Sequence, residues 1–459
     1  MITFDTICSA SSPHGIGALA IIRISGKEAF YITSKLFKNA KDFNSQPSNL
    51  VKRYDIYEGE ALIDQVMAVK FFEPKTYTGE DLVEITCHGS NYVQQKILEL
   101  LLKNGARTAN PGEFSMRAFL NGKFDLPQAE AVADLIDSQS ETAHRLAINQ
   151  LKGNFSARIK SLRNQFIELA ALMGLELDFS DEDVEFVDRK KLINLLTTLK
   201  DEVTQLTESF KLGNVLKTGI PVAIIGKPNV GKSTLLNCLL NDDRAIVSHI
   251  PGTTRDTIED NFNIKGVTFR FIDTAGIRLT DDEIETFGIE RTFKAIDKAE
   301  IILYIIDISN TSLEDVEKEL LFLENEIDLI NKKLVIVANK IDELNELPKH
   351  FTDWNEYDIA FISAKRNVNI DDIRDLLTQH IDQKNITDTA LLTNIRHYDI
   401  MLKIGEEITK VEAGFANQIP TDLIVIHINA ILNNLGEITG EITTDEVLDA
   451  VFGRFCIGK

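Results

Sequence analysis

The feature that most restricts the fold is the octapeptide Gly226-Lys227-Pro228-Asn229-Val230-Gly231-Lys232-Ser233, because of what flanks it. Val222 to Ile225 is an apolar run suited to a buried strand, and Thr234-Leu235-Leu236-Asn237 reads on as a helix. A G-x-x-x-x-G-K-S string between strand and helix turns backbone N–H groups inward around a phosphate, where the helix N-terminus adds positive potential. Lys232 is expected to reach the β- and γ-phosphates and Ser233 to ligate Mg²⁺.

Further segments follow in the order such a nucleotide site needs. Pro251-Gly252-Thr253-Thr254-Arg255-Asp256 offers a threonine hydroxyl to the metal. The strand-like Phe269 to Ile272 leads into Asp273-Thr274-Ala275-Gly276, where Asp273 supports the metal and the Gly276 N–H senses the γ-phosphate. The apolar Leu334 to Ala338 runs into Asn339-Lys340-Ile341-Asp342. The Asp342 carboxylate accepts from guanine N1–H and N2–H₂, which adenine does not present. Ala360 to Ile362 precedes Ser363-Ala364-Lys365, whose backbone meets guanine O6. The expected nucleotide contacts are Asn229, Val230, Gly231, Lys232, Ser233 and Thr234, then Ser248, His249, Ile250, Pro251, Gly252, Thr253 and Thr254. Asp273, Thr274, Ala275, Gly276, Asn339, Lys340, Asp342, Ser363 and Ala364 complete the set. The expected nucleotide is GTP with Mg²⁺. Ile277 stands where Ras-like proteins carry a water-orienting Gln, so hydrolysis needs another device. Asn229 could hold a monovalent cation against the phosphates, and Glu285 could polarise the attacking water.

The chain has 459 residues, room for about three domains. Residues 1–120 mix strands (Ala18 to Ile24, Val66 to Phe72) with a helix at Val93 to Leu102, an α+β pattern. Residues 121–216 are helical: Ile159, Leu162, Phe166, Leu169 and Met173 share one face, as do Leu192, Leu196, Leu199, Val203, Leu206 and Phe210. Gly219-Ile220-Pro221 breaks the helix, and residues 217–380 are α/β. Residues 381–459 turn helical again, with Ile424, Ile428, Ile431 and Leu435 on one face and a capping box Thr443-x-x-Glu446 opening the last helix. Two helical stretches around one α/β unit predict an insertion.

Asp plus Glu number 71 against 49 Lys plus Arg, a net charge of −22, which argues against broad nucleic-acid wrapping. The four cysteines lack any Cys-x-x-Cys pair, consistent with a reducing compartment. No signal-peptide pattern opens the sequence, and apolar runs such as Ile301 to Ile306 are too short to span a bilayer. The expectation is a cytoplasmic protein with no membrane.

The motifs above resemble those of the Era/TrmE class of translation-linked GTPases. Three further stretches narrow the likeness: Asp5-Thr6-Ile7 with Ala20-Ile21-Ile22-Arg23-Ile24-Ser25-Gly26, then Pro111-Gly112-Glu113-Phe114-Ser115-Met116-Arg117-Ala118-Phe119-Leu120-Asn121-Gly122-Lys123, and the closing Phe455-Cys456-Ile457-Gly458-Lys459. All are similar to the MnmE (TrmE) family of tRNA uridine-5-carboxymethylaminomethyl modification GTPases, over essentially the whole chain. The resemblance implies a multidomain α/β plus α fold, with a Ras-like P-loop G domain inserted in a helical domain and preceded by an α+β tetrahydrofolate-binding domain that forms a homodimer. It implies K⁺-dependent hydrolysis, the potassium held by Asn229, Ser248, Ile250 and Thr253, with Thr254 and Ser233 on magnesium and Glu285 positioning water. It implies 5-formyl- or methylene-tetrahydrofolate bound by Arg23, Glu84, Lys123 and Lys459, with the Cys456 thiol near the one-carbon group. It also implies a heterotetramer with the flavoprotein MnmG, which brings FAD, acting on wobble uridine 34 of certain tRNAs met through the complex. His88-Gly89-Ser90-Asn91 departs from the family's His-Gly-Gly-Pro. A ribosome-assembly GTPase switch is the alternative; it would be expected to carry a basic RNA-binding module, which this acidic chain does not show.

Overall fold

The computed structural model describes residues 5–13, 15–178, 189–240, 260–272, 295–326, 332–379, 391–453, 455 and 458, with backbone alone at 175–178, 189–191, 260 and 325–326. The chain divides into two compact units. One holds residues 1–133, 150–199 and 406–459; the other holds 134–149 and 200–405.

In the first unit, β1 (Ile7–Ala10), β2 (Leu19–Ser25), β3 (Val51–Glu58), β4 (Ala61–Phe71), β5 (Leu82–His88) and β6 (Arg107–Thr108) form one sheet, ordered β3-β4-β5-β2-β1-β6. All neighbours are antiparallel except the β1–β6 pair. Strand alternation sends Ile22, Ile24, Val83 and Ile85 into a core with Ile32, Phe43, Ile97 and Leu101 from the connecting helices. The opposite face keeps Leu19, Ile21 and Met67 exposed beside the Arg23 and Glu84 pair.

The helix Asn154–Asp178 buries Ile159, Leu162, Phe166, Leu169 and Met173, and packs with the helix Thr421–Thr439, which buries Ile424, Ile428, Ile431 and Leu435. Both stripes match the periodicity, so two segments about 250 residues apart share one core. Gly112 (φ 66°) lets the chain pass against the Phe452 carbonyl, which an added Cβ would approach to 2.4 Å. Gly458 (φ 97°) sits likewise against the Ala10 carbonyl, which an added Cβ would approach to 2.1 Å, and the Ser11 hydroxyl donates to the Gly458 carbonyl. The expected Thr443-x-x-Glu446 capping box does not form at Thr443. The last helix, Asp445–Phe452, is capped by Thr444, whose extended backbone (φ −113°, ψ 159°) lets its hydroxyl accept from the Val447 N–H. Thr443 lies one position too early for that bond.

In the second unit, β7 (Ile220–Ile225), β8 (Asp260–Ile264), β9 (Val267–Phe271), β10 (Ile301–Asp307), β11 (Lys333–Asn339) and β12 (Asp358–Phe361) form a sheet ordered β12-β11-β10-β7-β9-β8, parallel except for the β8–β9 hairpin. Its central strands are buried on both faces, as a parallel sheet requires. Val222, Leu303 and Val335 meet Leu235, Leu239 and Ile373 on one side; Ala223, Ile302 and Ile336 meet Ile296, Val316 and Leu320 on the other. Phe210 is only half-buried, stacked on Tyr398 with centroids 4.2 Å apart. Among the described residues no helix is long and apolar enough to cross a membrane.

An ion network with a buried centre anchors the first unit. The Arg117 guanidinium, 3% exposed, donates to Glu113 at 2.9 Å, to Asp5 at 3.0 Å and to Glu80 at 3.1 Å. Arg107 donates to Asp5 and Glu113, both at 2.7 Å. Hydrogen bonding to Arg107, reinforced by Arg117, pulls the Asp5 carboxyl down to about 2. Burial pushes Glu113 up, but hydrogen bonds from Arg107, Asn110 and Arg117 outweigh it and leave the carboxyl below its usual range. Folded-state values below unfolded ones mean that these groups stabilise at neutral pH and lose that contribution as pH falls from about 4 towards 2. Arg117→Met strands buried carboxylates, and a loss of about 3–5 kcal/mol in urea unfolding followed by circular dichroism is expected. Unchanged stability at pH 7 would show that the network is not what holds this unit.

Candidate nucleotide site

The site lies at the C-terminal edge of the parallel sheet, where open α/β folds bind ligands. β7 ends at Ile225, the loop turns through Gly226 (φ 146°), Asn229 (φ 62°) and Gly231 (φ 102°), and the helix Lys232–Leu240 begins. Gly226 has no room for a side chain, since a Cβ would come 2.3 Å from the Ile305 carbonyl. The Lys232 ammonium donates to the Gly226 and Lys227 carbonyls, each at 2.7 Å, so it lies across the mouth of the loop. Val230 is buried, whereas Asn229, Ser233 and Thr234 are exposed.

Asn339 joins this loop to the segment around Ala364, which the sequence expects to read the base. It ends β11, is 3% exposed, donates through Nδ2 to the Val230 carbonyl at 2.7 Å and accepts through Oδ1 from the Ala364 N–H at 2.9 Å. Lys340 (φ 70°) reaches back to Asp307 at 2.7 Å. Burial pushes the Asp307 carboxyl up, but hydrogen bonds from Lys340, Ser309 and Asn310 bring it down to about 2. The Ser363 hydroxyl donates to Asp342 Oδ1 at 2.6 Å, and Arg366 Nε lies 3.2 Å from Oδ2. The Ser363 bond, with the charges of Arg366 and Lys365, holds the Asp342 carboxyl below the usual range, hence acceptor-only at neutral pH.

The structure therefore gathers Asn229, Val230, Gly231, Lys232, Ser233, Thr234, Asn339, Lys340, Asp342, Ser363 and Ala364 at one sheet edge. Ser248, His249, Ile250, Pro251, Gly252, Thr253, Thr254, Asp273, Thr274, Ala275, Gly276 and Glu285 lie outside the described residues. Ser233 is an exposed oxygen donor in the first helical turn beside the lysine, which suits a hard cation such as Mg²⁺. Three neighbours escaped the sequence reading. Asp307 stands in register with Asn339 at the end of β10, a position that strand-end logic flags. The Cys238 thiol contacts the Ala364 carbonyl at 3.0 Å, and Arg366 holds Asp342; neither follows from spacing.

In the first unit Arg23 and Glu84 are opposed on β2 and β5, with Arg23 Nη2 donating to Glu84 at 2.7 Å. The guanidinium lies 5.2 Å from the Tyr77 ring centroid and 5.7 Å from that of Phe114. Lys123 is exposed and donates to the Pro74 carbonyl, in the loop that carries Tyr77. Cys456 and Lys459 lie outside the described residues.

Sheet order, glycine-lined loop and the Asn339 junction define a Ras-like P-loop G domain, set within a helical domain and preceded by an α+β domain. The profile of the MnmE helical domain matches residues 126–456, and that of the GTP-binding protein TrmE N-terminus matches residues 6–123. Proteins named tRNA modification GTPase MnmE are 46% identical to this chain in Cytophaga hutchinsonii (457 residues, 99% of this chain and 98% of the relative) and in Christiangramia forsetii (472 residues, 99% of each). The relative of that name in Flavobacterium psychrophilum is 46% identical over 464 residues, 100% of both chains. The chain belongs to the MnmE family.

Asn339→Ala leaves the Val230 carbonyl and the Ala364 N–H without their partner. A loss of about 2 kcal/mol, roughly thirtyfold in GDP Kd, is expected by titration calorimetry. A Kd within twofold of the parent would mean that this junction does not shape the site.

Proposed function

We propose that this chain is a GTP hydrolase that acts in tRNA modification, and that its hydrolysis depends on potassium. The observation that carries the reading is the buried Asn339 side chain, which holds the phosphate loop and the base-reading loop in one piece beside an ionised Asp342. In this reading Asp342 selects guanine, with Ser363, Ala364, Asn339 and Lys340 around the base. Val230, Gly231, Lys232 and Thr234 hold phosphates. Ser248, His249, Ile250, Pro251, Gly252 and Thr253 enclose the nucleotide, as do Asp273, Thr274, Ala275 and Gly276. Mg²⁺, on Ser233 and Thr254, neutralises phosphate charge when bound. Potassium sits with Asn229, Ser248, Ile250 and Thr253. Asn229 supports this by being exposed, with a left-handed backbone, within the phosphate loop. Glu285 positions the attacking water, because Ile277 has no group to do so.

Residues 1–120 form the folate-binding and dimerisation domain, residues 121–216 and 381–459 the helical domain, and residues 217–380 the G domain. Two features support the first assignment. The exposed sheet face around Leu19, Ile21 and Met67 suits a second copy of the chain, and Gly458 lies against Ala10 of β1, in the same sheet as Arg23 and Glu84. Folate binding is assigned to Arg23, Glu84, Lys123 and Lys459, with Cys456 near the one-carbon unit. With the flavoprotein MnmG and its FAD, the cytoplasmic complex forms the 5-carboxymethylaminomethyl or aminomethyl group on uridine 34.

Two measurements test this reading. GTP turnover is expected to fall by about tenfold or more when potassium is replaced by sodium; equal rates in the two salts would remove the cation. Nucleoside analysis of tRNA from cells lacking the protein is expected to show loss of the modified wobble uridine. Intact modification with defective ribosomal subunits would favour a ribosome-assembly switch instead.

A further inference from the structure

Arg366 sits where the expected nucleotide site has no obvious use for it. It occupies the tip of a tight turn closed by paired backbone hydrogen bonds between Ser363 and Val368, 3.0 and 3.1 Å long. Asn367 (φ 53°) reverses the chain inside that turn. The Arg366 N–H donates to the Ser363 hydroxyl at 3.2 Å, and the same hydroxyl donates to Asp342 Oδ1 at 2.6 Å. The turn thus fixes the Arg366 backbone beside Asp342, and its Nε reaches Oδ2 at 3.2 Å. Both carboxylate oxygens are engaged, and the Asp342 side chain is only 9% exposed, whereas that of Arg366 is 66% exposed.

A guanine ring needs both Asp342 oxygens, one for N1–H and one for N2–H₂. It must meet the carboxylate edge-on, and one oxygen of that edge, Oδ2, is the one Arg366 holds. We infer that Arg366 is a counter-ion latch on the base-selecting carboxylate, which guanine must displace to bind, so that the arginine lowers affinity for GDP and GTP alike. The inference rests on the guanine reading of Asp342. Lys340 does not substitute for the latch, because it is held by Asp307 at 2.7 Å. The exposed arginine is the mobile partner: its head can turn to water, whereas Asp342 is held by Ser363. An exposed ion pair of this kind is worth little, and its loss should be small but of definite sign.

The test is stopped-flow binding of a fluorescent methylanthraniloyl GDP to the full chain. Arg366→Gln is expected to lower Kd about two- to fivefold, through faster association with an unchanged dissociation rate. The gap from the parent should close near 0.5 M salt, roughly where exposed pairs are screened. Arg366→Lys, which keeps the charge, is expected to stay near the parent. An unchanged Kd for Arg366→Gln would overturn the inference, as would faster dissociation, which would make Arg366 a contact of the bound base. Loss of positive charge should by itself weaken binding of a polyphosphate, so tighter binding cannot come from bulk electrostatics. If the parent protein takes no guanine nucleotide, or takes ADP equally well, the guanine reading fails instead, and the two failures are told apart by the parent alone.

Discussion

The buried carboxamide of Asn339 is the contact on which the nucleotide-binding half of this protein depends. One side chain, out of reach of solvent, satisfies a carbonyl of the phosphate loop and an N–H of the Ser363–Lys365 loop. Inside a low-dielectric interior each of those backbone groups would be costly if left alone. The amide suits both because it is donor at one end and acceptor at the other. Asp, Leu or Ala at this place would orphan at least one of them. The glycines around it are as constrained: a Cβ on Gly231 would come 2.3 Å from Asn339 Nδ2. The loop, strand end and base turn therefore form one mutually supporting unit.

How much of this was legible in the sequence depended on how local the cause is. The phosphate loop was legible because strand, loop and helix are consecutive and glycine marks the left-handed turns. The helical stripes were legible because burial follows a period of 3.6 residues, and every residue assigned to the Asn154–Asp178 and Thr421–Thr439 stripes is buried. The last helix start was misplaced by one residue because two adjacent threonines offer equivalent hydroxyls, and only backbone angles choose between them. Arg366 on Asp342, Cys238 on Ala364 and Asp307 on Lys340 were out of reach because they arise from strand register and loop closure across 24 to 126 positions. Arg117 sat in a quoted motif, yet its burial among three carboxylates could not be read from spacing.

The two units use electrostatics differently. In the first, the Arg107 and Arg117 cluster pairs its charges internally around the buried Arg117 and Glu113, a structural device whose strength comes from that sheltered centre. In the second, Asp307, Lys340, Asp342 and Arg366 form ion pairs along the sheet edge, where at least the Arg366 partner is exposed and exchangeable. Arg23 and Glu84 fall between these cases, half-buried and backed by the Tyr77 and Phe114 rings, so the guanidinium is oriented without being withdrawn from solvent.

Chain entry to and exit from the inserted α/β segment nearly touch: Gly213 lies so close to the Leu392 carbonyl that a Cβ would stand 2.3 Å away, and the Leu392 N–H donates to Ser209. This has a consequence for biosynthesis. A nascent polypeptide that has just emerged through Thr218 displays the apolar stripe of Ile159, Leu162, Phe166, Leu169 and Met173, while its mates Ile424, Ile428, Ile431 and Leu435 are still untranslated. The intervening segment has its own sheet and core and can mature in the meantime, but the earlier helices must wait. Vectorial synthesis thus leaves a sticky half-core at the ribosome for the time needed to make some two hundred residues, about 10–40 s at ordinary elongation rates, which is an interval suited to chaperone capture.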